Sequence, residues 1–537
     1  MGIYVNPNNE GFKSALRSRI YVDKSMLIDF TNSILGTEQK YICITRPRRF
    51  GKSMAAKMLA AYYSCGCDSK KLFSNLKIAK TPNFESELNK NCVIALDIQR
   101  LRSKAIGLNQ DKLLYIQKCV IDELKEIYPD SVSDTDYYLP QVLLNIYSKT
   151  GTQFIIITDE WDCFFREDKE DKELIRNYLE FLGAMYKGTE SDLFIKLAYM
   201  TGILPIKQYD VQSKMNNFWE YTMIKPGRLA EFVGFTEDEV KDLCEKYDMD
   251  FDEMKRWYDG YSFTKIKSVY APNSVVKAID NEEFGSYWTA TGTYESIKNA
   301  INYNFNGLRD EIISLLSGKK IGINPLGFEN DMTSIKSNDD VFTLLVHLGY
   351  LAYDSKNKKV YIPNKEIAEE FGTAIRDSYK DSKISEVLKR SEELIEETIN
   401  GNAEKVAETL ELAHEDETSV MSYNNEESLA CAINIAYYYA RSDYIMVREF
   451  PTGKGFADLT LIPSKFCDKP AMIIELKVDK NAETGIKQIK EKRYQGKLKN
   501  YLNNIVLVSI NYDKETKKHS CVIEYNKNYE NNNEQYC

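Results

Sequence analysis

The chain has 537 residues, of which 43% are hydrophobic and 28% are charged, and its formal net charge at pH 7 is −10. This composition is typical of soluble globular proteins, the length predicts two to four domains, and the negative charge argues against a protein that simply coats nucleic acid. Because no window approaches the ~18 consecutive apolar residues of a membrane span and the N-terminus lacks a signal-peptide pattern, we expect a cytoplasmic protein without membrane contact.

The first motif is a basic stretch that ends in Gly-Lys-Ser, preceded by an apolar β-branched run at 41–45 and followed by helix formers. Strand, tight loop and helix in this order are the context that a phosphate-binding loop requires. The helix N-terminus attracts an anion, Lys52 suits the β- and γ-phosphates of ATP, and the Ser53 hydroxyl suits Mg²⁺. The predicted nucleotide-binding residues are Arg46, Pro47, Arg48, Arg49, Phe50, Gly51, Lys52 and Ser53.

Arg46 departs from the usual form of this motif, because such loops begin with glycine at that position. Without that glycine the loop must turn through Pro47 and a basic pair. The alternative interpretation is a basic surface turn that ends in Gly-Lys-Ser by chance.

Two acids follow the next strong strand pattern, the apolar run 154–157. In open α/β sheets ligands bind at the C-terminal ends of such strands. There Asp159 is suited to the Mg²⁺ of a nucleotide and Glu160 to polarising the attacking water, with Asp162 as the alternative for the second role. The other interpretation is a strand that only exits into an acidic turn. The separation of about 107 residues from Gly-Lys-Ser favours the nucleotide site.

Further apolar runs at 92–98 and 194–202 predict two more strands. The second run includes Thr201, which is suited to sensing the γ-phosphate, although a threonine at a strand end is often only a cap. The helical patterns between the strands cover about 108–127 and 139–149. Alternating strands and helices predict a P-loop NTPase-like α/β core.

The middle of the chain loses this alternation and is predicted to be mainly helical. Thr236 and Glu239 have the spacing of a capping box at a helix start. An aromatic turn at 256–263 is interpreted as a packing corner rather than a ligand cage. A helical pattern followed by two short strand patterns near 340–366 indicates a winged-helix-like unit, which either contacts DNA or only couples domains.

A second constellation lies near the C-terminus, where strand patterns cover 456–462 and 471–478. Alternation places Glu475 and Lys477 on one face of the second strand, and Asp458 on the first strand is expected to meet them. Two carboxylates suit Mg²⁺, which activates water, and a lysine adds positive charge at the reacting phosphate. These residue types in this pattern predict a metal-dependent phosphodiesterase site.

Neighbouring helices extend this constellation, with Glu427 on the preceding helix and Gln488 and Tyr494 on the following one. The alternative interpretation is an edge strand that carries a chance Glu–Lys pair. The Asp458 partner, the strand order and the upstream Glu427 favour the metal site.

Charge is unevenly distributed along the chain. Residues 391–430 contain 12 Asp+Glu against one Lys, a net charge of −11, whereas residues 441–537 contain 17 Lys+Arg and 13 Asp+Glu, a net charge of +4. We interpret the acidic block as the solvated face of helices, and the basic tail as suited to phosphates, with DNA as the predicted partner.

Together, the two constellations resemble a bacterial family of AAA-ATPase-like proteins that carry a C-terminal PD-(D/E)XK nuclease-superfamily domain. The matching segments are 21–24, 46–53, 159–162, 201–205, 257–261, 362–364, 455–458 and 475–477, which span nearly the whole chain. Arginine at position 46 is what this family shows. The resemblance implies ATP binding in the N-terminal half and a nuclease-type fold at the end. It implies Ala457-Asp458 in place of Pro-Asp, and a helix acid at Glu427, with Glu426 adjacent to it.

The predicted fold class is α/β, with three parts. Residues 1–214 form an AAA-ATPase-like P-loop domain with a parallel sheet and helices. Residues 215–385 form a mainly helical linker region with the winged-helix-like unit. Residues 386–537 form a restriction-endonuclease-like, PD-(D/E)XK α/β domain.

The leading hypothesis is an ATPase whose nucleotide cycle controls a Mg²⁺-dependent DNA-cleaving domain, in defence against foreign DNA or in mobile-element biology. In this hypothesis the cofactors are ATP and Mg²⁺, and the active form is either a monomer or a homo-oligomer. The alternative is a signalling or assembly switch, in which ATP drives oligomerisation and the C-terminal domain binds nucleic acid or a partner without cutting. A third hypothesis is an NTPase that acts on protein partners.

Overall fold

The computed structural model describes residues 2–206, 215–263, 266–288, 307–328, 335–378, 383–414, 426–452, 455–464, 467–491 and 504–525, together with 298, 305 and 498. The chain divides into two compact units. The first comprises Met1–Tyr287 with Gly322–Pro363, and the second comprises Trp288–Ile321 with Asn364–Cys537. The domain boundaries proposed from the sequence stay predictions.

The first unit is built around a five-stranded parallel sheet with the strand order β2-β3-β4-β1-β5. Its strands are β1 (Tyr41–Thr45), β2 (Cys92–Asp97), β3 (Phe154–Asp159), β4 (Ile195–Gly202) and β5 (Trp219–Tyr221). β1 and β3 are buried along their whole length. Near-continuous apolar runs of this kind are typical of parallel strands covered by helices on both faces. The sheet confirms the predicted P-loop-like core.

Ten helices in the described part of residues 2–206 accompany this sheet. They are α1 (Glu10–Leu16), α2 (Met26–Asn32), α3 (Lys52–Tyr63), α4 (Lys70–Phe73), α5 (Ile98–Gly107), α6 (Lys112–Ile127), α7 (Leu139–Thr150), α8 (Cys163–Glu167), α9 (Lys172–Tyr186) and α10 (Thr189–Phe194). The run predicted as a strand at 92–98 ends one residue early. The Asp97 side chain accepts a hydrogen bond from the Arg100 N–H at 2.8 Å and so caps α5, which begins at Ile98.

The strand order brings the predicted nucleotide residues to one edge of the sheet. β4 lies between β1 and β3, and all three strands run in the same direction. Thr45 at the end of β1 pairs with Gly202 at the end of β4. The loop after β1, the acids after β3 and the end of β4 therefore share the C-terminal edge, where ligands bind in open α/β sheets.

The remainder of the first unit contains short strands and helices. The strands are β6 (Phe235–Thr236), β7 (Val269–Tyr270), β9 (Ala352–Asp354) and β10 (Lys359–Tyr361), together with β8 (Ile321–Gly322), whose first residue belongs to the second unit. The helices are Glu237–Tyr247, Phe251–Tyr258, Pro272–Asn281 and Asn338–Leu348. Among the described residues of the first unit, 3₁₀ helices lie at Lys77–Lys80, Gly227–Leu229 and Pro325–Gly327. The capping box is present, since the Thr236 hydroxyl caps the Glu239 N–H and the Glu239 carboxylate accepts from the Thr236 N–H.

The helix and hairpin predicted near 340–366 are also present. The helix Asn338–Leu348 is followed by the antiparallel pair β9 and β10. Every side chain from 340 to 348 is buried. A helix that reads DNA must present a face to the major groove. The burial therefore argues against direct DNA contact by this helix, and the coupling of domains stays a prediction.

The aromatic turn at 256–263 is buried, as a packing corner requires. Trp257, Tyr258 and Tyr261 are each less than a tenth exposed. The Tyr261 hydroxyl donates to the Gly349 carbonyl at 2.5 Å, at the C-terminus of the buried helix. Gly260 has φ 117, and a Cβ at this position would lie 2.0 Å from the Pro363 carbonyl oxygen.

We expect Gly260→Ala to lower the free energy of unfolding by on the order of 3 kcal/mol, because a side chain there combines a positive φ with a backbone clash. Gly107→Ala is the matched control, since a Cβ at Gly107 meets no described atom within 4 Å. Chemical denaturation of both variants checks this. Equal stability of Gly260→Ala and wild type would contradict the close approach.

The second unit is built around a mixed five-stranded sheet in the order β11-β12-β13-β14-β15. Its strands are β11 (Tyr444–Thr452), β12 (Gly455–Pro463), β13 (Ala471–Val478), β14 (Ile505–Asp513) and β15 (Lys518–Tyr525). β13 and β14 are parallel and the other pairs are antiparallel. The helices are Leu308–Leu316, Lys365–Ser378, Lys383–Ile399, Ala403–His414, Glu426–Ala436 and Ala482–Glu491, with a 3₁₀ helix at Tyr438–Ser442.

This mixed sheet, with the helix Ala482–Glu491 between its two parallel strands, confirms the predicted restriction-endonuclease-like α/β domain. Across the described residues of both units, no helix combines the length and the apolar character needed to cross a membrane.

Candidate nucleotide and metal sites

The loop between β1 and α3 closes around the Lys52 side chain. Lys52 Nζ donates to the carbonyl oxygens of Arg46 at 3.0 Å and Pro47 at 2.9 Å. Arg49 (φ 67) and Gly51 (φ 94) are left-handed, which turns the backbone of the loop back on itself. Burial lowers the pKa of Lys52. Alternating right- and left-handed residues make the concave backbone surfaces that bind anions in proteins.

The start of α3 is suited to a phosphate. Its N-cap residue is Gly51, which has no side chain to cap the first turn. The first N–H groups of the helix therefore point to the space before it, together with the positive end of the helix dipole. A Cβ on Gly51 would meet no described atom within 4 Å, so the fold leaves room beside the loop at this residue. N–H groups, the Lys52 ammonium and the Ser53 hydroxyl form a donor set that fits the phosphates and Mg²⁺ of ATP.

Arg46 lies inside the fold. Its side chain is 0% exposed, and its guanidinium donates to the carbonyl oxygens of Thr45 at 2.8 Å and Tyr221 at 2.9 Å. The guanidinium carbon lies 5.2 Å from the centre of the Phe263 ring, a cation–π contact. Burial lowers the pKa of Arg46 to about 10. The residue at the usual glycine position thus ties the base of the loop to β5, and its guanidinium does not face the phosphate side.

The other loop side chains also anchor the loop. Phe50 is fully buried and meets the edge of the Tyr261 ring at a centroid distance of 5.3 Å. Arg48 forms an ion pair with Glu167 at 3.4 Å, and Arg49 donates to a backbone carbonyl. Together with Arg46, these side chains hold the loop in shape.

Asp159 and Thr201 meet at the edge of the sheet. Asp159, the last residue of β3, is 7% exposed, and Thr201 is fully buried. The Thr201 hydroxyl donates to Asp159 Oδ1. Because β4 lies between β1 and β3, this contact lies between the loop after β1 and Glu160, the residue that follows β3. The position suits a threonine that responds to the γ-phosphate and a carboxylate in the shell of Mg²⁺.

Glu160 faces the loop. Its Oε1 lies 3.7 Å from Lys52 Nζ, and its Oε2 accepts a hydrogen bond from Arg166. Burial raises the pKa of Glu160, against the opposing charges of Lys52 and Arg166. Its φ of 56 lies in the left-handed region, which a glutamate seldom adopts. Strained backbone of this kind occurs frequently at functional sites.

Asp162 holds the protein backbone. It is fully buried, and its Oδ2 accepts from the N–H groups of Ile203 at 3.1 Å and Leu204 at 2.8 Å and from Arg166 Nε at 3.1 Å. These contacts fix the chain that leaves β4. Asp162 is therefore less suited than Glu160 to polarising water, which favours Glu160 for that role.

Arg166 belongs to the same cluster but carries no sequence motif, because the segment after Asp162 has the pattern of an acidic turn. Its position on α8, four residues after Asp162, is the spacing at which a carboxylate and a guanidinium meet on a helix. That spacing is the signal that identifies it. The roles of the loop and strand-end residues in ATP binding and hydrolysis stay predictions.

In the second unit, β12 and β13 separate at the predicted metal site. Their ladder ends at the pair Leu459 and Ile474. Beyond it, Asp458 Oδ2 accepts a hydrogen bond from the Leu476 N–H at 2.7 Å. The carboxylate thus takes the place of the neighbouring strand and lies beside the residues that flank Leu476.

Glu475 and Lys477 lie on one face of β13, as alternation predicts. They are 1% and 6% exposed, and Lys477 Nζ lies 3.3 Å from Glu475 Oε1. The Gln488 amide donates to the same Glu475 oxygen. The structure therefore brings Asp458, Glu475, Lys477 and Gln488 together. The backbone of Glu427 lies in the helix Glu426–Ala436, but its side chain, like the whole of Tyr494, lies outside the described residues.

Gly485 permits the contact of Gln488 with Glu475. A Cβ on Gly485 would lie 2.0 Å from the Ser509 hydroxyl oxygen on β14. The helix Ala482–Glu491 can therefore approach the sheet closely only with glycine at this point. Gln488 follows one turn later, on the same side of the helix. The sequence motifs give no sign of this approach.

Within the part of the chain that the structure describes, no group of three or more His, Cys, Asp or Glu side chains is arranged to hold a metal ion. Asp458 and Glu475 provide two carboxylates. Mg²⁺ commonly binds through one or two carboxylates, with water and substrate phosphate oxygens as its other ligands. The donor set thus fits Mg²⁺ bound together with a nucleic-acid phosphate.

The two units have the folds of a P-loop-like α/β domain and of a restriction-endonuclease-like α/β domain. Residues 12–212 match the family model AAA-ATPase-like, described as a predicted AAA-ATPase. Residues 425–521 match the model of the PD-(D/E)XK nuclease superfamily. The chain therefore contains a predicted AAA-ATPase domain followed by a domain of the PD-(D/E)XK nuclease superfamily, which confirms the resemblance found in its motifs.

The chain is also similar to an uncharacterized protein in the vnfD 5′ region of Azotobacter chroococcum mcd 1, with 23% identity over 281 residues. The matched part covers 51% of this chain and 51% of the relative. The chain thus spans about half the length of the curated relative it matches. That relative is itself uncharacterized, so its description gives no activity.

Proposed function

We propose that the protein is an ATPase whose nucleotide cycle controls a Mg²⁺-dependent DNA-cleaving domain. The observation that carries the proposal is the approach of Lys52 from the loop to Glu160 from the end of β3, at 3.7 Å across the intervening strand. The loop after β1 and the end of β3, more than a hundred residues apart in the chain, thus bring a cation suited to phosphate and a carboxylate to the same edge of the sheet. The match of residues 12–212 to a predicted AAA-ATPase supports the assignment.

At the ATP site each residue has a separate task in the proposal. Lys52 and the N–H groups of α3 bind the phosphates, and Ser53 and Asp159 hold the Mg²⁺ that neutralises their charge. Glu160 orients and polarises the attacking water. Thr201, hydrogen-bonded to Asp159, responds to the presence of the γ-phosphate. An arginine from a neighbouring subunit completes the site if the active form is a homo-oligomer.

At the nuclease site Asp458 and Glu475 hold a divalent metal, which supplies an activated water and charge stabilisation when bound. Lys477 adds positive charge beside the scissile phosphate, and Gln488 fixes the orientation of the Glu475 carboxylate. Glu427 is proposed as a further ligand from the preceding helix. The net charge of +4 over residues 441–537 favours a nucleic-acid substrate. The proposal places this activity in the cytoplasm, in defence against foreign DNA or in mobile-element biology.

Glu160→Gln is expected to bind ATP normally but to hydrolyse it about 100-fold more slowly, because it keeps the shape of the side chain and loses the base. Asp159→Ala is expected to weaken Mg²⁺–ATP binding, because it removes a carboxylate from the metal shell. Single-turnover phosphate release and equilibrium binding of a fluorescent ATP analogue separate the two effects. Glu173→Gln, on the exposed first turn of α9, is the matched control. Wild-type turnover by Glu160→Gln would assign the water-polarising role to another residue.

A second candidate function is a switch in which the nuclease-type domain binds nucleic acid or a partner without cutting. The burial of Glu475 and Lys477 favours it, because the two side chains neutralise each other at 3.3 Å and give the sheet a closed, satisfied pair. A buried pair of this kind serves a structural purpose without any metal. Incubation of the protein with plasmid DNA, Mg²⁺ or Mn²⁺, and ATP decides between the two functions, since only the first predicts nicking.

A further inference from the structure

Arg166 makes more contacts with the acids at the end of β3 than a structural ion pair requires. Its side chain is 6% exposed, and its Nε donates to Asp162 Oδ2 at 3.1 Å. That contact alone is enough to balance the charge of Asp162, which holds the backbone after β4. A second nitrogen of the same guanidinium donates to Glu160 Oε2. Arg166 therefore links the backbone-holding acid to the acid proposed to act on water.

The two oxygens of the Glu160 carboxylate have different neighbours. Oε2 is held by Arg166, and Oε1 faces Lys52 Nζ at 3.7 Å. Since Lys52 marks the phosphate position, Oε1 is the oxygen directed at the reacting end of the nucleotide. Because the guanidinium nitrogens are held in one rigid plane, Arg166 fixes the position of Glu160 Oε2 relative to Asp162 better than a single ammonium would.

Arg166 is not placed to touch the phosphates itself. Its third nitrogen lies 3.7 Å from Glu167, and the guanidinium is enclosed by the carboxylates of Asp162, Glu160 and Glu167. Burial alone would lower the pKa of Arg166, but these carboxylates raise it above its ordinary value, so the side chain stays charged.

We propose that Arg166 is the positioning residue for ATP hydrolysis, which holds Glu160 so that Oε1 points at the attacking water. The inference rests on the proposed ATPase function and deepens it. It predicts that Arg166 acts mainly on the chemical step, because its hydrogen bonds go to Glu160 and Asp162. Its link to the loop is indirect, since Glu167, 3.7 Å from its third nitrogen, also pairs with Arg48.

The opposite possibility is that Arg166 restrains Glu160 in an unproductive orientation until a signal releases it. The two possibilities differ in sign, since loss of a restraint raises the rate of hydrolysis and loss of a positioning contact lowers it. The proximity of Oε1 to Lys52 favours positioning, because a restrained carboxylate would be turned away from the loop.

The test compares Arg166→Gln, Arg166→Lys and the control Arg102→Gln, which breaks the neighbouring Arg102–Asp168 ion pair outside the cluster. Arg166→Gln is expected to lower kcat about 10- to 100-fold, as loss of an orienting contact commonly does, with the affinity for a fluorescent ATP analogue changed less than about twofold. Arg166→Lys keeps the charge and recovers part of the rate. Arg102→Gln keeps the wild-type kcat.

A double variant separates positioning from a general structural role. If Arg166 acts through Glu160, then Glu160→Gln with Arg166→Gln hydrolyses ATP no more slowly than Glu160→Gln alone. Thermal unfolding of each variant shows whether the fold is kept, and Arg166→Lys serves if Arg166→Gln does not fold.

Additive losses in the double variant, an unchanged kcat, or a raised kcat in Arg166→Gln would each overturn the inference. A wild-type protein that binds ATP but never hydrolyses it would instead overturn the proposed function, and the inference with it. The wild-type measurement therefore distinguishes the two failures.

Discussion

Replacing Lys52 with alanine is expected to abolish measurable ATP binding. Lys52 lies at the start of α3 and beside Glu160, where the phosphates are proposed to bind. A charge-assisted hydrogen bond contributes about 1.5–3 kcal/mol, and Lys52 is suited to two phosphates, so the expected loss of affinity is about 100-fold or more. Equilibrium binding of a fluorescent ATP analogue measures it.

The control for this variant is Lys57→Ala, since Lys57 lies on the same helix and is exposed. Thermal unfolding must accompany both measurements, because removing Lys52 takes a cation from the partly buried Glu160 carboxylate. Unchanged affinity in a folded Lys52→Ala protein would mean that the Gly-Lys-Ser loop is a basic turn and not a nucleotide site.

Glu475→Ala is expected to abolish DNA cleavage and to leave ATP hydrolysis largely intact. The substitution removes one of the two carboxylates that β12 and β13 bring together, and with it the proposed metal ligand. Glu483→Ala is the matched control, because Glu483 is an exposed acid on the first turn of the helix that carries Gln488. Cleavage of supercoiled and linear DNA, read on a gel with and without ATP, measures the effect.

Lys477→Ala should slow cleavage by about 10²- to 10³-fold without removing the metal, because a preorganised charge beside the reacting phosphate is lost. Ca²⁺ should support DNA binding but not cutting, since it takes more oxygen ligands in a looser geometry than Mg²⁺. Cleavage by Glu475→Ala at the wild-type rate would contradict the assignment of this site, and the acids would then be structural.

The sequence was sufficient to predict the parts of the fold that are encoded in long local patterns. The buried runs of β1 and β3 and the acids after β3 are continuous in the chain, so their placement at one sheet edge follows from strand direction alone. β5 was not predicted, because Trp219–Tyr221 has only three residues and is defined by its pairing with β1. A strand of that length has no periodicity to detect.

The buried role of Arg46 also lies beyond sequence patterns. An arginine in a basic loop before a helix is expected to face an anion, yet its guanidinium bonds the carbonyl oxygen of Tyr221, 175 residues later. Arg166 was missed for a related reason, since its partner Glu160 is close in the chain but is recognised only when α8 is known to begin after Asp162.

In the second unit, alternation was enough to place Glu475 and Lys477 on one face of β13, and the Asp458 partner was found from strand order. The helix contact could not be predicted in the same way. Gln488 reaches Glu475 because Gly485 lets the helix pack against Ser509, a distance set by two elements that meet only in the folded protein. Such close approaches depend on packing and not on residue spacing.

The central claim, that nucleotide and metal sites act together in DNA cleavage, is tested most directly by incubating wild-type protein with supercoiled plasmid and Mg²⁺ or Mn²⁺, with and without ATP. The account predicts nicked and linear DNA whose yield depends on ATP, no cleavage by Glu475→Ala, and loss of the ATP dependence in Lys52→Ala. A folded wild-type protein that binds the plasmid but never nicks it under any metal or nucleotide condition would contradict the account. That result would favour the second candidate function, a switch that binds nucleic acid without cutting it.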